Sequence, residues 1–123
     1  MSSGELYQEF ILELYKNPIN FGKMSDATHH AQSYNPLCGD KIELFLKVEK
    51  GTVSEAKFVG SGCAISQASV SLLTEEIKGK IIEELVKMQK KDILQMIQID
   101  LSKNPSRLKC ALLSLEVLKK AIG

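Results

Sequence analysis

From Lys41 to Glu49 apolar and polar residues alternate, with Ile42, Leu44, Leu46 and Val48 on one face and Glu43, Phe45, Lys47 and Glu49 on the other. A period of two is the mark of a half-buried strand. Lys50-Gly51 then makes a tight turn, and Thr52–Val59, carrying Val53 and Phe58, supplies a partner strand, so a β-hairpin is predicted. An antiparallel hairpin sets the residues before its first strand beside those after its second. Here those flanks read Cys38-Gly39-Asp40 and Gly60-Ser61-Gly62-Cys63. The hairpin ends lie near Asp40 and Gly60, which makes neighbours of Cys38 and Cys63.

The rest of the chain reads mainly as helix. Leu6, Phe10, Ile11 and Leu14 recur at helical spacing between Gly4 and Tyr15, and Asn17-Pro18 is a stop signal. A polar stretch follows, leading to a short edge strand over Thr28–Tyr34. Beyond Cys63 a small-and-apolar face of Ile65, Ala68, Ser69, Leu72, Leu73 and Ile77 predicts a helix closed by Lys78-Gly79. Cys63 then stands at a helix amino terminus, where unpaired N–H groups and the dipole favour a thiolate. Helical pattern resumes over Ile81–Leu101 with a break near Gln89–Asp92. Asn104-Pro105 opens the last helix as cap and first turn, placing Cys110 early in it.

Cys38, Cys63 and Cys110 are the chain's three cysteines. An odd count with no signal-peptide pattern argues against a disulfide framework and for a reducing, cytoplasmic location, where thiols serve as ligands or nucleophiles. With Asp40 they make four donors, the number that a tetrahedral zinc or one edge of an iron–sulfur cluster needs. A length of 123 residues fits a single domain spanning 1–123. Sixteen basic against fifteen acidic residues leave a net charge of +1, and no apolar run approaches a membrane span. Neither nucleic acid nor a membrane is therefore expected as a partner.

Several ordered motifs resemble one family. Leu14-Tyr15-Lys16-Asn17-Pro18, Asn20, Gly22 and Tyr34-Asn35-Pro36-Leu37-Cys38-Gly39-Asp40 are similar to the U-type iron–sulfur cluster assembly proteins, IscU, SufU and the amino-terminal domain of NifU. The likeness continues through Gly60-Ser61-Gly62-Cys63-Ala64-Ile65-Ser66, Ser69, Ser71, Thr74-Glu75 and Lys78-Gly79-Lys80 to Arg107-Leu108-Lys109-Cys110-Ala111. It implies an α+β fold in which a three-stranded antiparallel sheet packs against several helices and the cysteines meet at one exposed end. It also implies that Cys38, Asp40, Cys63 and Cys110 bind zinc or a transient [2Fe–2S] cluster, with Cys38 and Cys110 as candidate sulfur acceptors. The implied partners are a cysteine desulfurase and cluster-acceptor proteins, and the implied role is that of a scaffold, not a self-sufficient enzyme.

The IscU branch carries His before its last cysteine and a Leu-Pro-Pro-Val-Lys stretch upstream; here the residues are Asn104-Pro105-Ser106-Arg107-Leu108-Lys109. This favours a SufU-like or NifU-like site, in which the charge of Lys109 favours thiolate at Cys110 or counters a bound cluster. The interval from Cys63 to Cys110 is nevertheless too short for the extra segment usual in SufU. Two readings stay open: a scaffold that builds and passes on a cluster, and a zinc-dependent sulfurtransferase that relays persulfide without building one. Exposed helix faces leave room for a homodimer. His29-His30 reads as a surface pair, since adjacent strand residues point oppositely. Lys87, Lys90 and Lys91 read as a solvated face, and Met88 and Met96 as core or interface filler.

Overall fold

The computed structural model describes residues 3–36, 39–98, 101 and 103–123. Helix α1 (Ser3–Lys16) precedes strands β1 (His29–Asn35), β2 (Asp40–Glu49) and β3 (Thr52–Ser61), and helices α2 (Ala64–Ile77), α3 (Ile82–Val86), α4 (Lys90–Ile97) and α5 (Pro105–Ile122) follow. The strands form an antiparallel sheet in the order β1-β2-β3. The expected α+β architecture is present, with every strand in its predicted place and β3 two residues longer than the alternation suggested.

The hairpin turn carries Lys50 at φ 53° and Gly51 at φ 78°. Two successive positive φ values match the twist of a two-residue hairpin loop. Further along, the pairing shifts from Lys47↔Glu55 to Val48↔Val53, leaving Ser54 as an extra residue in β3. This bulge keeps both Val53 and Ala56 on the core face although they are three positions apart. The Ser54 hydroxyl donates to the Lys47 carbonyl at 3.1 Å.

Ile42, Leu44 and Leu46 of β2 and Val53, Ala56 and Phe58 of β3 are buried in an apolar cluster with Leu73 of α2 and Val117 of α5. Helix α2 is central, packing on α1, α4, α5 and β3. Its small polar residues Ser66, Ser69, Ser71 and Thr74 are buried with its apolar ones, so neighbouring elements approach it from several sides. The motif Asn17-Pro18, Asn20 and Gly22 forms a loop tied to this helix. Asn20, at φ 60°, donates to Thr74 Oγ1 and accepts from Lys78 Nζ, and Ile19 N donates to the Ser71 hydroxyl. Backbone bonds from Gly22 N to Phe58 O and from Phe58 N to Asn20 O cover part of the outer edge of β3.

Two expectations change on folding. Phe10 is exposed while Ile11 and Leu14 are buried, so the core-facing stripe of α1 is narrower than the spacing implied. Phe45, assigned to the polar face of β2, is only 8% exposed because the His30 ring stacks on it at a centroid distance of 4.8 Å. His30 also pairs with Glu43 at 2.6 Å, which gives it a structural role on the open sheet face. The helical break falls at Lys87–Gln89, just ahead of its expected position, because Gln89 and Asp92 form a capping box that starts α4. Met88 and Met96 pack against the core as expected, and Lys87, Lys90 and Lys91 are exposed. Among the described residues no helix is long and apolar enough to cross a membrane.

Candidate metal centre

The site is assembled where β2 begins, β3 ends and α2 begins. Asp40 opens β2 opposite Asn35, and the register pairs Lys41 with Ser61, so the Gly62-Cys63 step passes beside Asp40. Asp40 is fully buried. Its Oδ1 accepts from the Cys63 N–H at 2.7 Å, and its Oδ2 faces Cys63 Sγ at 3.8 Å. A carboxylate removed from water needs such donors or a cation to offset its lost hydration.

Gly62 makes the close approach feasible. It adopts φ 130°, and a Cβ there would overlap Asp40 Oδ1 and lie 2.7 Å from Asp40 Cα. Any other residue would push β2 and the turn apart. The turn is also held from the helix side, where Gln67 Nε2 donates to Ser61 O and to the Ser66 hydroxyl, each at 3.1 Å. Cys63 is the N-cap of α2, with its sulfur accepting from Ser66 N at 3.5 Å and its carbonyl accepting from the Ser66 hydroxyl at 3.0 Å. The expected position of Cys63 at a helix amino terminus is thus observed.

Cys110 arrives from the opposite side, on α5. Asn104 caps that helix by accepting from Arg107 N at 3.2 Å, and Pro105 occupies the first turn. This start places Cys110 inward, 2% exposed, in an apolar cluster with Ile11, Leu14, Ile65 and Ala111. One donor atom each from Asp40, Cys63 and Cys110 lies within 4.8 Å of the other two. A tetrahedral ion with bonds of about 2.3 Å to sulfur sets neighbouring sulfurs about 3.8 Å apart, so modest contraction brings the three to bonding distance. Cys38, the fourth sequence candidate, lies outside the described residues.

Sequence reasoning missed Ser66 and Gln67, which bind the turn to the helix. The cap pattern Cys63-Ala64-Ile65-Ser66 was a signal for the first, whereas nothing local marks Gln67. Beside the site, a cleft of about 390 Å³ opens between Tyr34–Pro36 and α5, with Lys90, Lys109 and Lys119 on its rim. A second cleft, of about 380 Å³, lies among α2, α3 and α4, lined by Glu76, Lys80, Glu84 and Asp92. It contains none of the candidate donors.

Comparison with known proteins identifies the family. The zinc-dependent sulfurtransferase SufU of Bacillus subtilis is 40% identical, the match covering 96% of this chain and 90% of that protein. The iron–sulfur cluster assembly scaffold protein IscU of Thermotoga maritima is 41% identical over 95% of this chain and 92% of its own length. Those two alignments extend over 133 and 132 positions, more than the 123 residues of this chain, so both relatives carry insertions that it lacks. The crystal structure of FiSufU from Fervidobacterium islandicum AW-1, assigned as an iron–sulfur cluster assembly scaffold for the SUF system, superposes with a TM-score of 0.81 at 30% identity. That match covers 99% of this chain and 100% of the other. The model of the NifU-like N-terminal domain matches residues 6–123, and the chain belongs to that family.

Proposed function

We propose that this protein is an iron–sulfur cluster assembly scaffold and sulfur acceptor. It receives sulfane sulfur from a cysteine desulfurase, binds iron, and passes a [2Fe–2S] cluster to acceptor proteins. The observation that carries this reading is the convergence of Asp40, Cys63 and Cys110 within 4.8 Å at one end of the sheet, with Cys38 two residues ahead of Asp40 in the chain. Thiolates bind iron and zinc firmly, whereas a carboxylate is a harder, more labile ligand for a thiophilic cargo. Three thiols with one carboxylate suit a site that must hold a cluster and then release it.

In the sulfur step an acceptor thiolate attacks the outer sulfur of the desulfurase persulfide. A bond forms between the acceptor Sγ and that sulfur, the donor S–S bond breaks, and the donor cysteine leaves as thiolate. Of the acceptors suggested by the sequence, Cys110 is 2% exposed and needs movement of α5 to be reached, which argues for Cys38 as the first. The lysine-rimmed cleft between Tyr34–Pro36 and α5 offers a partner an approach beside the site.

A second reading is favoured by the donor geometry and by the 40% identical zinc-dependent sulfurtransferase. Here Cys38, Asp40, Cys63 and Cys110 hold zinc, which when bound stabilises the thiolates, and the chain relays persulfide without assembling a cluster. Anaerobic incubation with a desulfurase, cysteine and ferrous iron separates the two. Near-stoichiometric iron and acid-labile sulfide, lost in Cys38→Ser, supports the scaffold. Retained zinc and persulfide without iron overturns it in favour of the relay.

A further inference from the structure

Cluster assembly consumes sulfide, whereas a persulfide delivers sulfur two electrons more oxidised. The placement of Cys63 and Cys110 bears on where those electrons come from. Their Sγ atoms lie within 4.8 Å of each other, one on the cap of α2 and the other on the buried face of α5. A disulfide requires a separation of about 2 Å. The gap is therefore at most about 2.8 Å, and one rotamer change at a cysteine displaces its sulfur by about 3 Å. Cys63 is partly exposed and its sulfur is held by two long contacts, one from Ser66 N at 3.5 Å and one to Asp40 Oδ2 at 3.8 Å, whereas Cys110 is packed in the apolar cluster, so Cys63 is the side chain with more freedom to turn.

We infer that Cys63 and Cys110 form a resolving pair that, when the site is free of metal, reduces a persulfide carried on Cys63 and releases hydrogen sulfide. The inference rests on the reading of this site as one that handles sulfur. In the step, Cys110 Sγ attacks Cys63 Sγ and a Cys63–Cys110 disulfide forms. The bond between Cys63 Sγ and the outer sulfur breaks, and that sulfur departs with the electron pair and, counting the Cys110 proton, as H2S. The outer sulfur gains two electrons and the two cysteine sulfurs lose one each, so no outside reductant enters this turnover. Restoring the dithiol takes a thiol reductant of the glutathione or thioredoxin class.

The arrangement favours this direction of attack. Cys63 is the more accessible of the two, so of this pair it is the one that takes sulfur, from a small donor or by persulfide exchange with Cys38, and Cys110, 2% exposed, is shielded from donors while remaining within reach of its neighbour. An ion bound by both thiolates blocks the step, so metal occupancy and sulfide release exclude one another.

The test uses the full chain, stripped of metal with a chelator and loaded anaerobically with glutathione persulfide, then desalted. Sulfide release and disulfide-linked peptides are followed without added thiol. The expected result is about one sulfide per persulfide loaded on Cys63, with a Cys63–Cys110 linked peptide. Cys110→Ser, verified as folded by circular dichroism, should keep its persulfide on Cys63 and release at least tenfold less sulfide. A persulfide on Cys63 that persists in the unsubstituted protein, or a disulfide joining Cys38 or two chains, would overturn the proposal. The chemical donor separates this from the cluster-assembly reading. Release after glutathione persulfide with no uptake from a desulfurase would leave the resolving pair standing while the proposed function fell.

Discussion

Gly62→Ala tests the central geometric claim, that the turn and β2 approach so closely that only hydrogen fits between them. An alanine Cβ would overlap Asp40 Oδ1 and sit 2.7 Å from Asp40 Cα, and the residue holds φ 130°. Forcing a methyl group into a packed site costs about 2 kcal/mol, and the unfavourable φ adds about 1–2 kcal/mol. The total of about 3–4 kcal/mol is a substantial share of the roughly 5–15 kcal/mol that holds a domain folded. With a urea m-value of about 2 kcal/mol/M, the metal-free midpoint should fall by about 1.5–2 M. Gly51→Ala is the control: φ there is 78° and nothing lies within 4 Å of the added Cβ, so only the backbone cost applies. Adding Asp40→Ala to Gly62→Ala should recover part of the loss, since it removes the clash with the carboxylate but leaves the clash with the β2 backbone. Equal midpoints for Gly62→Ala and Gly51→Ala would refute the close-approach argument.

Asp40→Ala removes the proposed oxygen ligand and should slow cluster transfer to an acceptor several-fold; an unchanged transfer half-life sinks that role. Chelation of bound metal should leave the far-ultraviolet circular dichroism intact, because the apolar core of the sheet, α2 and α5 forms without the site. Unfolding on chelation would identify instead a closed, structural zinc module. Glu43 is held below its ordinary value of 4.5 by hydrogen bonds from Gln32 and then His30. Its contribution to stability is complete above pH 4.5 and is lost as pH falls through the lower folded value. Glu43→Gln should therefore flatten the acid limb of a stability–pH curve, and an identical slope would count against the pairing.

Legibility in the sequence followed the range of the interactions. The hairpin was readable because alternation, turn and flanks are contiguous, and Cys63 as a cap because small and apolar residues at helical spacing follow it at once. Asn104-Pro105 likewise announced the start of α5. The Ser54 bulge was not readable: shifting the register by one is favoured only because Val53 and Ala56 must both face the apolar core. Phe45 looked like an exception on a polar face until His30, from the neighbouring strand, was found stacked on it. Gly60 and Gly62 are visible in the sequence ahead of Cys63, but that Gly62 is packed against Asp40 depends on the pairing of two strands.

The site divides in the same way. Donor types, their order along the chain and the kinship of residues 6–123 are properties of the sequence alone, because ligand chemistry resides in individual side chains and motif spacing is local. Only the tertiary structure decided that the carboxylate is fully buried and bonded to the Cys63 amide, that Cys110 is shielded from solvent, and that the two sulfurs lie within 4.8 Å. Those quantities depend on how α5 packs against α2 and the sheet, and contacts between distant segments leave no periodicity in the chain for a reader to find.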